Sequence, residues 1–129
     1  MSEAPDDLKY SRSHEWVRVN EDGTVTIGVT DHAQEQLGDL VYVEVPDEGR
    51  ELEAEEACAV VESVKAASDV YAPVAGTVVA VNEALADTPE AVNNDAYGDG
   101  WLIRLKPTDL AAADALMSAS EYQAFVEAE

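Results

Sequence analysis

A chain of 129 residues, 47% hydrophobic and 27% charged, has the length of one domain and enough apolar content to build its own core. Its 28 acidic and 7 basic residues leave a formal net charge of −21, which excludes the clustered cations that nucleic acid or an anionic membrane surface requires. One cysteine, Cys58, excludes an intrachain disulfide framework and a multi-cysteine metal site, and no apolar run approaches the ~18 residues of a membrane-spanning helix.

The acidic start, Met1 to Asp7, lacks the apolar stretch of a secretory signal. The expectation is one domain over 1–129, with a flexible acidic segment over 1–7, in the cytoplasm. A folded chain this acidic repels itself at low ionic strength. At molar salt the screening length falls to ~3 Å, so the composition suits a high-salt cytoplasm.

His14 to Val19 is a short β-prone run, and Thr24 to Val29 alternates with Val25, Ile27 and Val29 on one face. Asp22-Gly23 between them is a hairpin signal. Asp31 to Gly38 reads as a short helix, with Asp31 capping the amide of Gln34 and Gly38 closing the C-terminus. Asp39 to Val45 alternates again, with Val41, Val43 and Val45 predicted on one face. Glu51 to Glu56 reads as an acidic loop or edge strand, and Ala57 to Glu62 as a compact apolar strand. Asp69 to Tyr71 and Gly76 to Asn82 have strand character, Asn82 to Gly100 is loop, and Trp101 to Lys106 is the last strand.

The tail then changes period, with Leu110, Ala113 and Met117 at helical spacing. Ser120-Glu121-Tyr122-Gln123 reads as a capping box that opens a final helix. Many short strands with terminal helices indicate a mainly β member of the α+β class, built as a sandwich. A faint echo links Gly38-Asp39-Leu40-Val41-Tyr42-Val43 to Gly76-Thr77-Val78-Val79-Ala80-Val81, 38 residues later. It suggests two similar half-sheets with Lys65 between them.

Little of this supports catalysis. The histidines are His14 and His32 alone, and Cys58 lies in an apolar run where it reads as a small core residue. Carboxylates are too common to discriminate a paired acid and base, and neither a phosphate-binding glycine loop nor a metal-ligand spacing occurs. Lys65 is different. In Glu62-Ser63-Val64-Lys65-Ala66-Ala67-Ser68 a scarce lysine sits between two strand-like runs with small or apolar neighbours. That is the pattern of a hairpin tip, which projects its lysine into solvent either as an ordinary turn residue or as an attachment point around which a modifying enzyme can close.

From Leu8 to Phe125 the chain resembles the H proteins of the glycine cleavage system, which are lipoyl carriers. Five segments carry the resemblance in order: Ser13-His14-Glu15-Trp16-Val17; Ile27 to Gln34 followed by Leu37-Gly38-Asp39; Val61-Glu62-Ser63-Val64-Lys65-Ala66; Tyr71-Ala72-Pro73-Val74-Ala75-Gly76; and Tyr97-Gly98-Asp99-Gly100-Trp101. The resemblance implies a lipoyl/biotinyl-carrier-like β-sandwich of the hammerhead type, with a short internal helix and C-terminal helices. It implies a non-catalytic, monomeric carrier with lipoate in amide linkage on Lys65, and Glu62, Ser63, Val64 and Ala66 as the context the attaching enzyme recognises.

The lysine-lipoyl arm spans about 14 Å. By the same resemblance the arm shuttles the aminomethyl group of glycine from glycine decarboxylase to aminomethyltransferase, and dihydrolipoyl dehydrogenase reoxidises the dithiol. Glu15 and Asp69 match residues of a cleft that shelters the loaded arm, where a carboxylate suits a protonated amine. Two positions depart from the pattern: Gln36 stands where a histidine is usual, and Ala96 where a proline is. His14 and Trp16 read as packing residues. A lipoyl or octanoyl relay role in lipoate assembly is an alternative, and a biotin carrier a more distant one, since its lysine normally lies between methionines rather than Val64 and Ala66.

Overall fold

The computed structural model describes residues 7–128, so all but the last residue of the 1–7 segment expected to be flexible lies outside the described residues. Among the described residues nine strands and three α-helices follow in chain order: β1 (Lys9–Tyr10), β2 (Glu15–Val19), β3 (Val25–Val29), α1 (Asp31–Leu37), β4 (Leu40–Glu44), β5 (Glu51–Leu52), β6 (Ala57–Ser63), β7 (Ala67–Tyr71), β8 (Gly76–Val81), α2 (Ala91–Asn94), β9 (Ile103–Pro107) and α3 (Ala119–Ala128). Short 3-10 segments cover Glu83–Ala86 and Leu110–Ala115. The strands form a six-stranded sheet, β1-β2-β3-β9-β8-β5, and a three-stranded sheet, β4-β6-β7, with every pairing antiparallel. The mainly β sandwich with terminal helices is the architecture the sequence predicts.

One core joins the sheets. Val25, Ile27, Ile103 and Leu105 of the larger sheet cluster with Leu40, Val43, Val61 and Val70 of the smaller. A second cluster packs Leu8, Tyr10 and Trp16 against Ala119 and Tyr122 of α3, which ties the C-terminal helix to the first strands. The ring of Trp16 lies so close to Gly28 that a Cβ there would come within 2.7 Å of the indole. Glycine is required at that position for space alone.

Three local readings are corrected. Thr30 caps α1: its hydroxyl accepts the Ala33 N–H at 3.2 Å, while Asp31 accepts from the Gln34 side chain at 2.7 Å. The final capping box is formed by Ser118 and Glu121, with Ser118 N–H to Glu121 Oε1 at 2.9 Å and Glu121 N–H to Ser118 Oγ at 3.2 Å. Ser120, where the spacing predicts the cap, already lies inside the helix. In β4, Leu40 and Val43 are buried and Val41 is exposed, because the pairing with β6 shifts register between Leu40 and Tyr42. A strict alternation cannot foresee that step.

The internal echo has a physical counterpart. β8 shifts register against β9 between Val78 and Ala80, 38 residues after the step in β4. The two strands lie in different sheets, of six and three strands, so the likeness belongs to the strands and not to matching half-sheets.

Candidate functional site

Lys65 occupies the tip of the β6–β7 hairpin. Ser63 builds that tip. Its buried hydroxyl accepts the N–H groups of Lys65 at 3.1 Å and Ala66 at 3.2 Å, and donates to the Ala66 carbonyl at 3.2 Å. The Ser63 N–H also donates to that carbonyl at 2.8 Å. A side-chain hydroxyl that binds several backbone groups of one turn removes the freedom a loop lysine would otherwise have. Val64 stands 73% exposed beside it, and its N–H reaches the Asp39 carbonyl at 3.3 Å. Glu62 is half-buried on β6, paired with Tyr42 on one side and Ala67 on the other.

The lysine stem runs along the end of α1. A Cβ on Gly38 would meet Lys65 Cε at 3.0 Å, so glycine serves twice here, leaving room for the stem and adopting φ +84°. Asn93 of α2 holds this junction. Its amide donates to the Gly38 carbonyl at 2.8 Å and to Gln34 Oε1 at 3.0 Å, and its oxygen accepts the Leu40 N–H at 2.9 Å. Neither Gly38's part in seating the lysine nor Asn93 was foreseen. An asparagine in an Asn- and Asp-rich loop carries no signal that distinguishes it from a turn residue.

Beside the hairpin lies a groove of about 250 Å³. Buried Val29 and Val61 floor it, exposed Ser13, Gln36 and Asp69 edge it, and Glu15 reaches it from within. The structure therefore brings Glu15 and Asp69 to one groove, though in unlike settings. Asp69 is exposed. Glu15 is only 2% exposed; Oε1 accepts the Ser11 hydroxyl at 2.5 Å and Oε2 the Tyr71 N–H at 3.1 Å. Burial pushes its carboxyl up to about 7, against the smaller lowering from those two hydrogen bonds.

His14 and Trp16 pack, as expected. Trp16 is fully buried and its indole N–H donates to the Ala96 carbonyl at 2.9 Å, so alanine in place of proline leaves that acceptor intact. His14 adopts φ +68° and holds the Tyr122 hydroxyl at 2.7 Å through Nδ1, while the same hydroxyl lies 2.7 Å from Thr30 Oγ1. This knot joins α3 to the cap of α1, and His14 also lines the groove. Cys58 is buried, donates to the Val70 carbonyl at 3.3 Å and has its thiol pushed up to about 12 by burial, so it is inert.

The arrangement is a presented amine beside a groove of mixed lining, with valines on its floor and a carboxylate at its edge. It suits holding a flexible chain better than breaking bonds, and no helix among the described residues is long and apolar enough to cross a membrane.

Residues 8–129 match the family model described as glycine cleavage H-protein. The chain is 64% identical over 126 residues to the glycine cleavage system H protein of Halorhodospira halophila, covering 98% of this chain and 97% of that one. It is 59% identical to the corresponding protein of Shewanella loihica over 129 residues, the full length of both. The crystal structure of a glycine cleavage system H protein from Mycobacterium marinum superposes with a TM-score of 0.88 at 41% identity, over 95% of this chain and 98% of that one.

Proposed function

The chain belongs to the glycine cleavage H-protein family, and from that premise we propose that Lys65 is the residue on which its lipoate is carried, in amide linkage. The protein is a lipoyl carrier of the glycine cleavage system, a non-catalytic component that works with the system's enzymes. Glycine decarboxylase, aminomethyltransferase and dihydrolipoyl dehydrogenase are the partners this reading gives the arm, and a lipoate-attaching enzyme is the partner of Lys65 itself.

The observation that carries the reading is the hairpin tip. Ser63 locks the turn, Lys65 stands exposed at its apex, and its stem leads over Gly38 to the end of α1 whose Gln36 edges the groove. The chemistry of the groove fits the group, with valine side chains for an alkyl chain and a carboxylate edge for an amine. Once attached, the dithiolane supplies a sulfur to receive the one-carbon unit and a two-electron redox change. The protein's part is to reach, shelter and release. Asp69, exposed on the edge, is the carboxylate open to a protonated amine. Glu15 backs the groove, since its oxygens already accept from Ser11 and Tyr71, and it fixes β7 against the β1–β2 turn.

Replacing Lys65 with arginine tests the assignment. Arginine keeps the charge, and the exposed tip gives it room, so the melting temperature should be unchanged; but a guanidinium is not an acylable amine at any working pH. After incubation with a lipoate-attaching enzyme, intact mass should show one lipoyl group on the wild type and none on Lys65→Arg. Lys9→Arg and Lys106→Arg should load normally, since those lysines lie on β1 and β9. Peptide mapping that finds the group on Lys9 or Lys106 would overturn the assignment.

A further inference from the structure

Lys65 is exposed and, among the described residues, no carboxylate pairs with it, although the chain has 28 acids. Its stem lies instead against Gly38. A Cβ there would meet Lys65 Cε at 3.0 Å and Nζ at 3.6 Å, so any other side chain would push the stem aside. Three ties hold this glycine under the lysine tip. Leu40, two residues on, pairs with Ser63 of β6; the Asp39 carbonyl accepts the Val64 N–H at 3.3 Å; and Asn93 donates to the Gly38 carbonyl at 2.8 Å. The Gly38 N–H closes α1 on the Gln34 carbonyl at 3.0 Å, and Asn93 also holds the Gln34 side chain.

We propose that Gly38 is a positioning residue for attachment of the carried group: it aims the Lys65 amine for the attaching enzyme, and Asn93 keeps it in place. The inference rests on Lys65 as the attachment residue. Attachment needs the neutral amine. Its nitrogen lone pair forms the C–N bond to the carbonyl of an activated lipoyl anhydride, the C–O bond to the leaving group breaks with its electron pair, and one amine proton passes to solvent. A lysine stem samples many rotamers, and aligning it in advance raises the rate at which amine and carbonyl meet. A carboxylate could align the stem as well, but it would favour the ammonium, which is no nucleophile. Contact with a glycine orders the stem without that charge. The position thus makes two demands that glycine alone meets, φ +84° and no side chain under Cε.

The test measures initial rates of attachment to the unmodified carrier by a lipoate-attaching enzyme saturated with activated lipoate, with peptide mapping of the product. Product on another lysine defeats the attachment reading before positioning is measured. Gly38→Ala should lower kcat at least about tenfold with KM for the carrier little changed, because a misplaced amine binds but does not react. Gly23→Ala is the matched control for backbone strain: Gly23 has φ +88° in the β2–β3 turn, and a Cβ there would meet nothing within 4 Å. It should lose comparable stability in thermal melts and keep the wild-type kcat. Asn93→Ala, which leaves Gly38 and Lys65 themselves unaltered, should lower kcat severalfold. A measurement on the unmodified wild type stands apart from whether Gly38→Ala folds: a nuclear Overhauser contact should join the Gly38 Hα and Lys65 Hε protons. With product on Lys65, absence of that contact, wild-type kcat in Gly38→Ala or Asn93→Ala, or an equal loss in Gly23→Ala would overturn the positioning role and leave the attachment site standing.

Discussion

Glu15 is a carboxyl buried at the back of the groove. A carboxyl held at about 7 in the fold and near 4.5 in the unfolded chain keeps its proton in the native state while the unfolded state loses it. Its contribution is therefore full below about pH 4.5 and is lost as pH rises through 7. Unfolding titrations across that window should show the wild type losing on the order of 3 kcal/mol relative to Glu15→Gln, whose amide does not titrate. Parallel curves for the two proteins between pH 4 and 8 would mean that Glu15 titrates in the fold as it does in the unfolded chain. Near neutral pH the group is divided between its two forms, so a protonated amine parked in the groove would draw it toward the carboxylate.

At the scale of elements, caps and register steps place the side chains that count. Helix α3 starts where Ser118 and Glu121 satisfy each other's N–H groups, and the Ser118 amide N–H, then its hydroxyl, hold the Glu121 carboxyl below the usual carboxylate range. Ser118→Ala should lower stability by about 1 kcal/mol, and Ser120→Ala should leave it within about 0.5 kcal/mol. Chemical denaturation of the two variants distinguishes them; equal losses would contradict the observed cap. The helix matters to the groove because Tyr122 holds both His14, which lines it, and Thr30, which caps α1. The step in β4 has a comparable reach, since it sends Leu40 into the core and leaves Val41 in water beside the lysine.

The whole molecule carries a net charge of −21, and among the described residues several of its few cations are held by groups other than carboxylates. Arg18 lies 5.0 Å from the Trp16 ring and donates to the Tyr97 carbonyl, and Arg104 lies 5.2 Å from the Trp101 ring. These cations are engaged by aromatic faces and a carbonyl. Arg50 does pair with Glu56 at 2.9 Å, but an exposed pair contributes little. Screening by salt is then the main relief of self-repulsion. Thermal melts from 0.1 to 2 M potassium chloride should rise by about 10 °C, corresponding to a few kcal/mol. A midpoint independent of salt would reject the high-salt reading of the composition.

Sequence alone determined the mainly β sandwich, the order of most strands and the isolation of Lys65 at a hairpin tip, because these follow from local period, turn residues and composition, which act over a few residues at a time. It also assigned Cys58 and Trp16 to the interior, since a small thiol in an apolar run and a large ring have few other places to go. The ordered motifs gave the family by resemblance. Only the tertiary structure decided that Glu15 is buried with its carboxyl raised, that Gly38 is the bed of the lysine stem, that Asn93 holds the α1–β4 junction from 53 or more residues away, and that Val41 faces water. Each depends on what another segment places nearby: Tyr71 and Ser11 around Glu15, Lys65 over Gly38, β6 against β4. Desolvation, close approach and a step in strand register belong to pairs of distant segments, and no window along a single segment contains them.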